Sequence, residues 1–343
     1  MEKKKHHLPK GIIFMDKITQ PHMMLNSLRL AGLGHKIEYK VIVTDGKKEI
    51  DPAPWGESSH EVVCVATLWG QGEDVLKIIK SNPNVKWVHS FTAGVDRILH
   101  PEILSSGCTI TNTKGVFSPA LAEFAIFQML WFEKKGTLWQ QQQHDHVWNK
   151  HYVGCLYDKQ VGIIGYGDIG GQCAIKAKRG FGMRVVGLKT DPTKVGNQEY
   201  RDCADEIVGF DRMDEVLATS DYIIACLPLT PQTKGIFDKA KFDKFKRSSV
   251  FLNIGRGQNV VEKDLVEALK EKKLAGAYLD VFEKEPLPED SELWNMKNVF
   301  ITPHSADYTT DTWDLTAKQY IPLIDEFVSG KTFSHNVDKT KGY

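Results

Sequence analysis

Short apolar runs return at regular intervals through the first third of the chain: GIIFMD (11–16), YKVIVT (39–44), EVVCVA (61–66), VKWVHS (85–90) and CTITN (108–112). Each is rich in β-branched or aromatic residues and reads as a strand. They are apolar throughout rather than alternating, as strands must be when helices cover both faces of their sheet, so a parallel α/β arrangement is predicted. The style changes at 118. SPALAEFAIFQMLWF predicts a helix capped by Ser118 with Pro119 in its first turn, and its nearly unbroken apolarity predicts deep burial between domains or subunits. KKGTLWQQQQHDHVWNK, which follows, predicts a surface helix or arm anchored by Trp139 and Trp148.

From 160 the strands resume as QVGIIGYG, RVVGLK, YIIACLP, SVFLNIG, GAYLDVF and VFITPH, separated by stretches such as KDLVEALKEKKL with helical apolar spacing. The predicted fold class is α/β, with two Rossmann-like, doubly wound parallel-sheet domains, a smaller one over 1–117 and a second over 118–313.

A chain of 343 residues with 41% hydrophobic residues can give each domain its own core. Lysine plus arginine equals aspartate plus glutamate at 44 each, so no broad field recommends nucleic acid or an anionic membrane, and a small ligand is expected. The basic start MEKKKHH reads as a solvated tail with no apolar signal core behind it, and no apolar run is long enough to span a bilayer. Six cysteines without a close pair suggest neither a zinc site nor a disulfide framework. A reducing, cytoplasmic setting without a metal is expected, and the terminal KGY lacks the common peroxisomal address.

Within VGIIGYGDIGGQ a buried strand runs into Gly165, Gly167 and Gly170 and then into helical material. Glycine permits a tight turn, close approach of backbone to a pyrophosphate and close helix packing, while the helix start supplies unpaired amides. That context predicts a dinucleotide site. At the end of the next strand, where an acid would hold the ribose of NAD, stand Lys189 and Thr190. They suit the 2′-phosphate of NADP, so NADP(H) is the preferred cofactor and NAD(H) the possible one. The alternative is that Lys189 faces solvent and Asp191 grips NAD.

Arg256 in FLNIGRGQ, Glu285 in LDVFEKEPLP and His304 in VFITPHSA each follow a strand of this second domain. Ligands bind beyond the carboxyl ends of such strands, where three separated positions can converge. Reduction of a 2-oxo acid needs a cation for the substrate and a proton donor for the carbonyl oxygen. Arginine, here between two glycines that keep its surroundings open, suits the first; imidazolium suits the second, with a glutamate favouring the charged ring. Taken singly, each of the three also fits a structural role.

With these residues placed, the chain resembles the D-isomer-specific 2-hydroxyacid dehydrogenases, which include glyoxylate/hydroxypyruvate reductases, D-lactate dehydrogenases and phosphoglycerate dehydrogenases. The likeness runs in order through FTAGVDRI, NTKGVFSPALAE, VGIIGYGDIG, ACLPLTPQTKGIF, LNIGRGQNVVEKDL, AYLDVFEKEPLP and ITPHSA, nearly the whole chain. It implies an active-site cleft between the domains, with Arg256, Glu285 and His304 as the catalytic set. It further implies that the backbone of Ala93, Gly94 and Val95 binds the substrate carboxylate. Asp280 would contact the nicotinamide carboxamide, Leu227 and Pro228 would border the cofactor, and Asp168 and Ile169 would lie beside its pyrophosphate. Residues 314–343 would return to the first domain, and the protein would form a homodimer through the nucleotide domain. Plainer roles stand beside these: Gly94 as a turn residue, Asp96 as a helix cap and Asp280 as an organiser of its loop.

Departures from the family pattern bear on the substrate. Asp307 stands where a small residue is more common, placing an acid near His304, and Trp69 introduces a large aromatic near the expected side-chain pocket, or else a buried structural ring. Lys189 points toward the NADP-using reductases. Glu285 argues against formate dehydrogenases, whose resemblance would put glutamine there; phosphoglycerate dehydrogenase would need further cations, for which Arg97 is a candidate. A cofactor-sensing binding protein is the rival of a different class. The expected function is NADPH-preferring reduction of a small 2-oxo acid such as glyoxylate or hydroxypyruvate, giving the D-hydroxy acid where its carbon is stereogenic.

Overall fold

The computed structural model describes residues 8–16, 21–44, 62–67 and 72–343. The chain divides into two compact units: the first runs up to Val116 and resumes over Thr309–Tyr343, and the second is Phe117–Tyr308.

Among the described residues the first unit holds five parallel strands, β1 (Lys10–Asp16), β2 (Glu38–Thr44), β3 (Val62–Thr67), β4 (Trp87–Ser90) and β5 (Thr109–Asn112), in the order β2-β1-β3-β4-β5. Ile13, Trp87 and Phe91 join one core with Tyr320 and Ile324 of the helix Thr312–Val328. Ile12, Val65, Val88 and Ile110 join another with Val75 and Ile78 of the helix Gly72–Ser81. Neighbours such as Ile12 and Ile13 thus serve opposite faces, which is why the central strands carry consecutive apolar residues instead of alternating ones. Beyond the helix Thr312–Val328 the chain runs beside β5, where the Val337 amide donates to Ile110 O at 2.9 Å.

The second unit has a seven-stranded sheet made of β6 (Gln160–Ile164), β7 (Arg184–Leu188), β8 (Glu206–Val208), β9 (Tyr222–Ala225), β10 (Val250–Asn253), β11 (Gly276–Leu279) and β12 (Val299–Ile301). Their order is β12-β11-β10-β9-β6-β7-β8 and each pair is parallel. The chain moves outward from β6 to β8, then returns to β9 on the other side of β6. This is the switch point at which doubly wound sheets bind ligands.

Three local expectations change. Strand β8 was not anticipated: it has three residues at the sheet edge, and only Val208 is buried. An edge strand needs little apolar sequence to hold its place. In the helix Ser118–Glu133, Ser118 is buried inside the first turn, and Phe117 takes the cap position without a side-chain bond. The predicted burial of that helix appears at Leu121, Ala122, Ala125, Ile126 and Met129, while Phe127 is exposed. Trp139 does anchor the arm by donating its indole N–H to Lys134 O. Trp148, 96% exposed, anchors nothing among the described residues. No helix of the described residues is long and apolar enough to cross a membrane.

Candidate active site

Strands β10, β11 and β12 lie side by side and parallel, so the segments leaving their carboxyl ends emerge together. Arg256 follows β10, Glu285 follows β11 and His304 follows β12. His304 Nδ1 lies 2.9 Å from Glu285 Oε2, and the two side chains remain 23% and 24% exposed. An ionised carboxylate can only accept, so Nδ1 carries the hydrogen toward Glu285 and Nε2 is left to exchange a proton with a ligand. The other oxygen, Glu285 Oε1, accepts the Phe282 amide at 3.1 Å.

Arg256 reaches the same region through tight backbone contacts. A Cβ on Gly257 would lie 1.9 Å from the Phe282 carbonyl carbon, and one on Gly255 would lie 2.8 Å from Leu227 O. The two glycines therefore serve close packing of the arginine loop against neighbouring backbone, not open space as the sequence suggested. Asn253 supports the loop at both ends, with Nδ2 donating to Arg256 O at 3.1 Å and Oδ1 accepting the Gly255 amide at 3.1 Å. Gln258 Nε2 donates to Glu283 O at 3.0 Å, so the arginine and glutamate loops are bound together.

His304 has φ of 51°, an uncommon conformation for a residue with a side chain. Its neighbours impose it. The His304 amide donates to Asp280 O at 2.8 Å, while Asp280 Oδ1 accepts the amides of Ser305 and Ala306 at 3.0 and 3.2 Å and the Thr302 hydroxyl at 2.5 Å. Tyr278 and Thr302 hydroxyls meet at 2.8 Å behind this clasp. Asp280 is 1% exposed and its carboxylate is engaged with the histidine loop. Thr302 and Tyr278 were not singled out from sequence; the ITPH spacing alone does not reveal a hydroxyl two residues before the histidine turned toward an acid on the next strand.

Two further acids surround the imidazole electrostatically. Burial pushes the Asp280 carboxyl above its ordinary range, against its donors at Thr302 and Ser305 and the charge of His304. Burial also raises half-buried Asp307, opposed by His304 and Arg256 and reinforced by Asp280. The departure at Asp307 thus puts a carboxyl within the field of both candidate catalytic cations.

At the switch point the glycines divide their tasks. Gly165 has φ of 106°, and a Cβ there would meet Cys226 O at 2.7 Å; a Cβ on Gly170 would lie 2.4 Å from Gly165 O. Around Gly167 a Cβ would meet nothing within 4 Å. The turn is closed on the protein side and open at its middle glycine. There the helix Asp168–Ile175 begins, with Asp168 and Ile169 in its first turn and amides that helix geometry leaves unpaired. This fits a pyrophosphate. Leu227, 5% exposed, packs beside Gly165, and Pro228 O accepts from Thr233 Oγ1 at 2.6 Å.

Lys189 leaves β7 with its amide bonded to Val208 O, and its Nζ donates to Tyr166 O of the glycine turn at 3.3 Å. Exposed Thr190 follows it. Asp191 is otherwise engaged: Oδ1 accepts the Thr193 hydroxyl at 2.6 Å and its amide at 3.1 Å, and Oδ2 lies 3.1 Å from Lys194 Nζ. Those partners hold its carboxyl down at about 2.

In the first unit Ala93, Gly94 and Val95 follow β4, with Arg97 exposed just beyond. The amides of Ala93, Gly94 and Val95 donate to no group among the described residues. Trp69 lies outside the described residues.

The chain is similar to known proteins over most of its length. Residues 126–306 match the D-isomer specific 2-hydroxyacid dehydrogenase, NAD binding domain family. A glyoxylate reductase of Pyrococcus furiosus is 30% identical over 315 residues, covering 86% of this chain and 88% of that protein. The NADPH-dependent glyoxylate/hydroxypyruvate reductase of Sinorhizobium meliloti, solved with NADP and sulfate, has a TM-score of 0.81 at 28% identity and covers 97% of this chain and 100% of its own. A D-isomer-specific 2-hydroxyacid dehydrogenase of Xanthobacter autotrophicus Py2, solved with NADPH and MES, has a TM-score of 0.80 at 26% identity, covering 97% and 99%. With the glycine turn at the switch point and the histidine–glutamate pair at the ends of β11 and β12, this likeness makes the chain a member of the D-isomer-specific 2-hydroxyacid dehydrogenases, NAD(P)-dependent oxidoreductases that interconvert 2-oxo and 2-hydroxy acids.

Proposed function

We propose that the protein reduces glyoxylate, hydroxypyruvate or a related small 2-oxo acid with NADPH preferred over NADH. The observation that carries this reading is the 2.9 Å contact of His304 with Glu285, beside the arginine loop and in the unit that holds the dinucleotide turn. The bound reduced nicotinamide supplies the hydride. The amides of Ala93, Gly94 and Val95 bind the substrate carboxylate, and Arg256 holds its carboxylate and carbonyl oxygens through a planar fork that lysine cannot reproduce. His304, charged, gives the proton on Nε2 to the carbonyl oxygen, and Glu285 orients the ring and favours its charged form. Asp280 keeps that ring in place and borders the nicotinamide carboxamide.

Gly165, Gly167, Asp168, Ile169 and Gly170 receive the pyrophosphate, Leu227 and Pro228 line the cofactor, and Lys189 with Thr190 meets the 2′-phosphate. The NADPH preference is supported by the engagement of Asp191 with Thr193 and Lys194, which takes that acid away from a ribose hydroxyl. A homodimer is part of the same reading. It is supported by Trp148, 96% exposed, which lines a cavity of about 680 Å³ with Trp139, Val147 and His151, and by exposed Tyr152. Side chains of this kind reach solvent in a single chain only at a cost that a second copy would relieve. The six unpaired cysteines support a cytoplasmic setting.

Matched initial rates with NADPH and NADH, on hydroxypyruvate and glyoxylate in parallel, test the proposal. Rapid oxidation of NADPH and slow oxidation of NADH is expected. A preference for NADH would remove the role of Lys189, and no turnover with either cofactor on either acid would overturn the substrate assignment.

A further inference from the structure

The segment after β4 reads Ser90-Phe91-Thr92-Ala93-Gly94-Val95, and any such loop carries as many carbonyls as amides. A carboxylate is attracted by the amides and repelled by the carbonyls, so a loop that binds one must turn its carbonyls away. Here five of the six are occupied from the protein side. Asn112 Nδ2 donates to Ala93 O at 2.5 Å, and Thr92 Oγ1 donates to Gly94 O at 2.7 Å. Ser90 O accepts from Thr113 Oγ1 at 3.0 Å, Thr92 O from the Thr113 amide at 3.2 Å, and Val95 O from the Ile98 amide at 2.9 Å. The amides of Ala93, Gly94 and Val95 have no acceptor among the described residues.

Two side chains direct this polarity. Asn112 stands at the end of β5, beside β4, and its own carbonyl accepts from His335 Nε2 at 2.9 Å, so the returning terminal segment fixes its backbone. Thr92 is oriented by Ser90, whose Oγ lies 2.8 Å from the Thr92 hydroxyl and accepts the Thr92 amide at 3.3 Å. We infer that Asn112 and Thr92 are positioning residues for substrate recognition: by drawing the carbonyls of Ala93 and Gly94 inward, they turn consecutive amides outward and make the loop a receptor for a carboxylate. This rests on the proposed role of residues 93–95 in holding the 2-oxo acid. Neither residue needs to touch the substrate.

The test uses the full-length protein with Thr92→Val, which removes the hydroxyl at nearly constant shape, Thr92→Ser, which restores it, and Asn112→Ala. Three quantities are measured: KM for glyoxylate, inhibition by the unreactive dicarboxylate oxalate, and the Kd for NADPH. For T92V and N112A, KM and the oxalate inhibition constant should rise about tenfold or more, while the Kd for NADPH stays at the wild-type value. T92S should recover most of the loss. If N112A does not fold, the T92V and T92S pair decides. Wild-type KM and oxalate inhibition in a folded T92V would overturn the inference, and so would an equal loss of NADPH affinity, which would mark general damage. A wild-type protein that neither reduces glyoxylate nor binds oxalate would overturn both the inference and the functional reading beneath it.

Discussion

His304 Nδ1 and Glu285 Oε2 lie 2.9 Å apart on segments that leave two neighbouring parallel strands. An anion at that distance stabilises the imidazolium, the form that can give a proton during reduction. Glu285→Gln keeps the shape and removes the charge. Reduction should then slow, with kcat falling about tenfold or more while NADPH affinity is kept. A kcat equal to that of the wild type would deny Glu285 its role at the imidazole.

Removing the imidazole is the more severe change. Because the proposed proton transfer belongs to the chemical step, His304→Ala should reduce kcat by about 10²- to 10⁴-fold. NADPH affinity should be nearly unaffected, since the glycine turn lies at the β6 switch point and owes nothing to the imidazole. Stopped-flow reduction alongside fluorescence titration of the cofactor separates the two effects, and comparable losses in both would make His304 a structural residue.

The glycine beside Arg256 gives a prediction about stability as well as rate. A Cβ at Gly257 would fall 1.9 Å from backbone atoms of Phe282, the residue whose amide holds Glu285. No flexible side chain end is available to yield there, so Gly257→Ala must push the arginine and glutamate loops apart. A destabilisation of about 1–3 kcal/mol is expected, together with a large loss of kcat. A urea midpoint and a rate equal to those of the wild type would show that the loops adjust freely.

The parts of this arrangement that were legible in the sequence share a cause. Strands β6, β7 and β9–β11 announce themselves because burial on both faces demands unbroken apolar runs, the edge strand β12 shows as the short apolar run VFI, and Arg256, Glu285 and His304 follow three of these runs. The glycine turn is legible because its spacing answers to a local backbone requirement. What was missed depends on the fold. β8 is held by the sheet edge more than by its three residues, and a serine followed by proline suits both a cap and a first turn, so Ser118 could not be placed from preference alone. The flanking glycines of Arg256 looked like openings because the backbone they pack against, at Leu227 and Phe282, is remote in sequence. Asn112 meets Ala93 only once β4 and β5 are paired.

In the proposed reading cofactor choice turns on Lys189, whose ammonium lies 3.3 Å from Tyr166 O of the glycine turn. A charge-assisted contact to a 2′-phosphate contributes about 1.5–3 kcal/mol, equivalent to roughly ten- to a hundredfold in affinity. Lys189→Asp should therefore weaken NADPH by about that factor and improve NADH in relative terms. Steady-state comparison of kcat/KM for both cofactors checks it, and an unchanged ratio would remove Lys189 from phosphate recognition.

The first unit carries an acid-sensitive element far in sequence from any of the proposed catalytic groups. His89 is 1% exposed, with Nδ1 2.8 Å from Thr111 Oγ1, and Phe91 and Tyr320 rings packed on it at 4.9 and 4.6 Å. Its Nε2 has no partner among the described residues. Burial, and secondarily the charge of His335, lowers its pKa from 6.5 to about 3. The folded state therefore resists protonation that the unfolded chain accepts. The full contribution to stability is present above pH 6.5 and is lost as the pH falls from there toward 3, on the order of a few kcal/mol in all. Carboxylates elsewhere titrate in the same window, so the decisive quantity is the difference from His89→Phe, which fills the aromatic cluster without a titrating ring. Urea midpoints at pH 7, 5.5 and 4.5 should fall more steeply for the wild type than for H89F. Parallel declines would mean that His89 finds a proton acceptor in the folded chain and that the acid sensitivity of the first unit arises elsewhere.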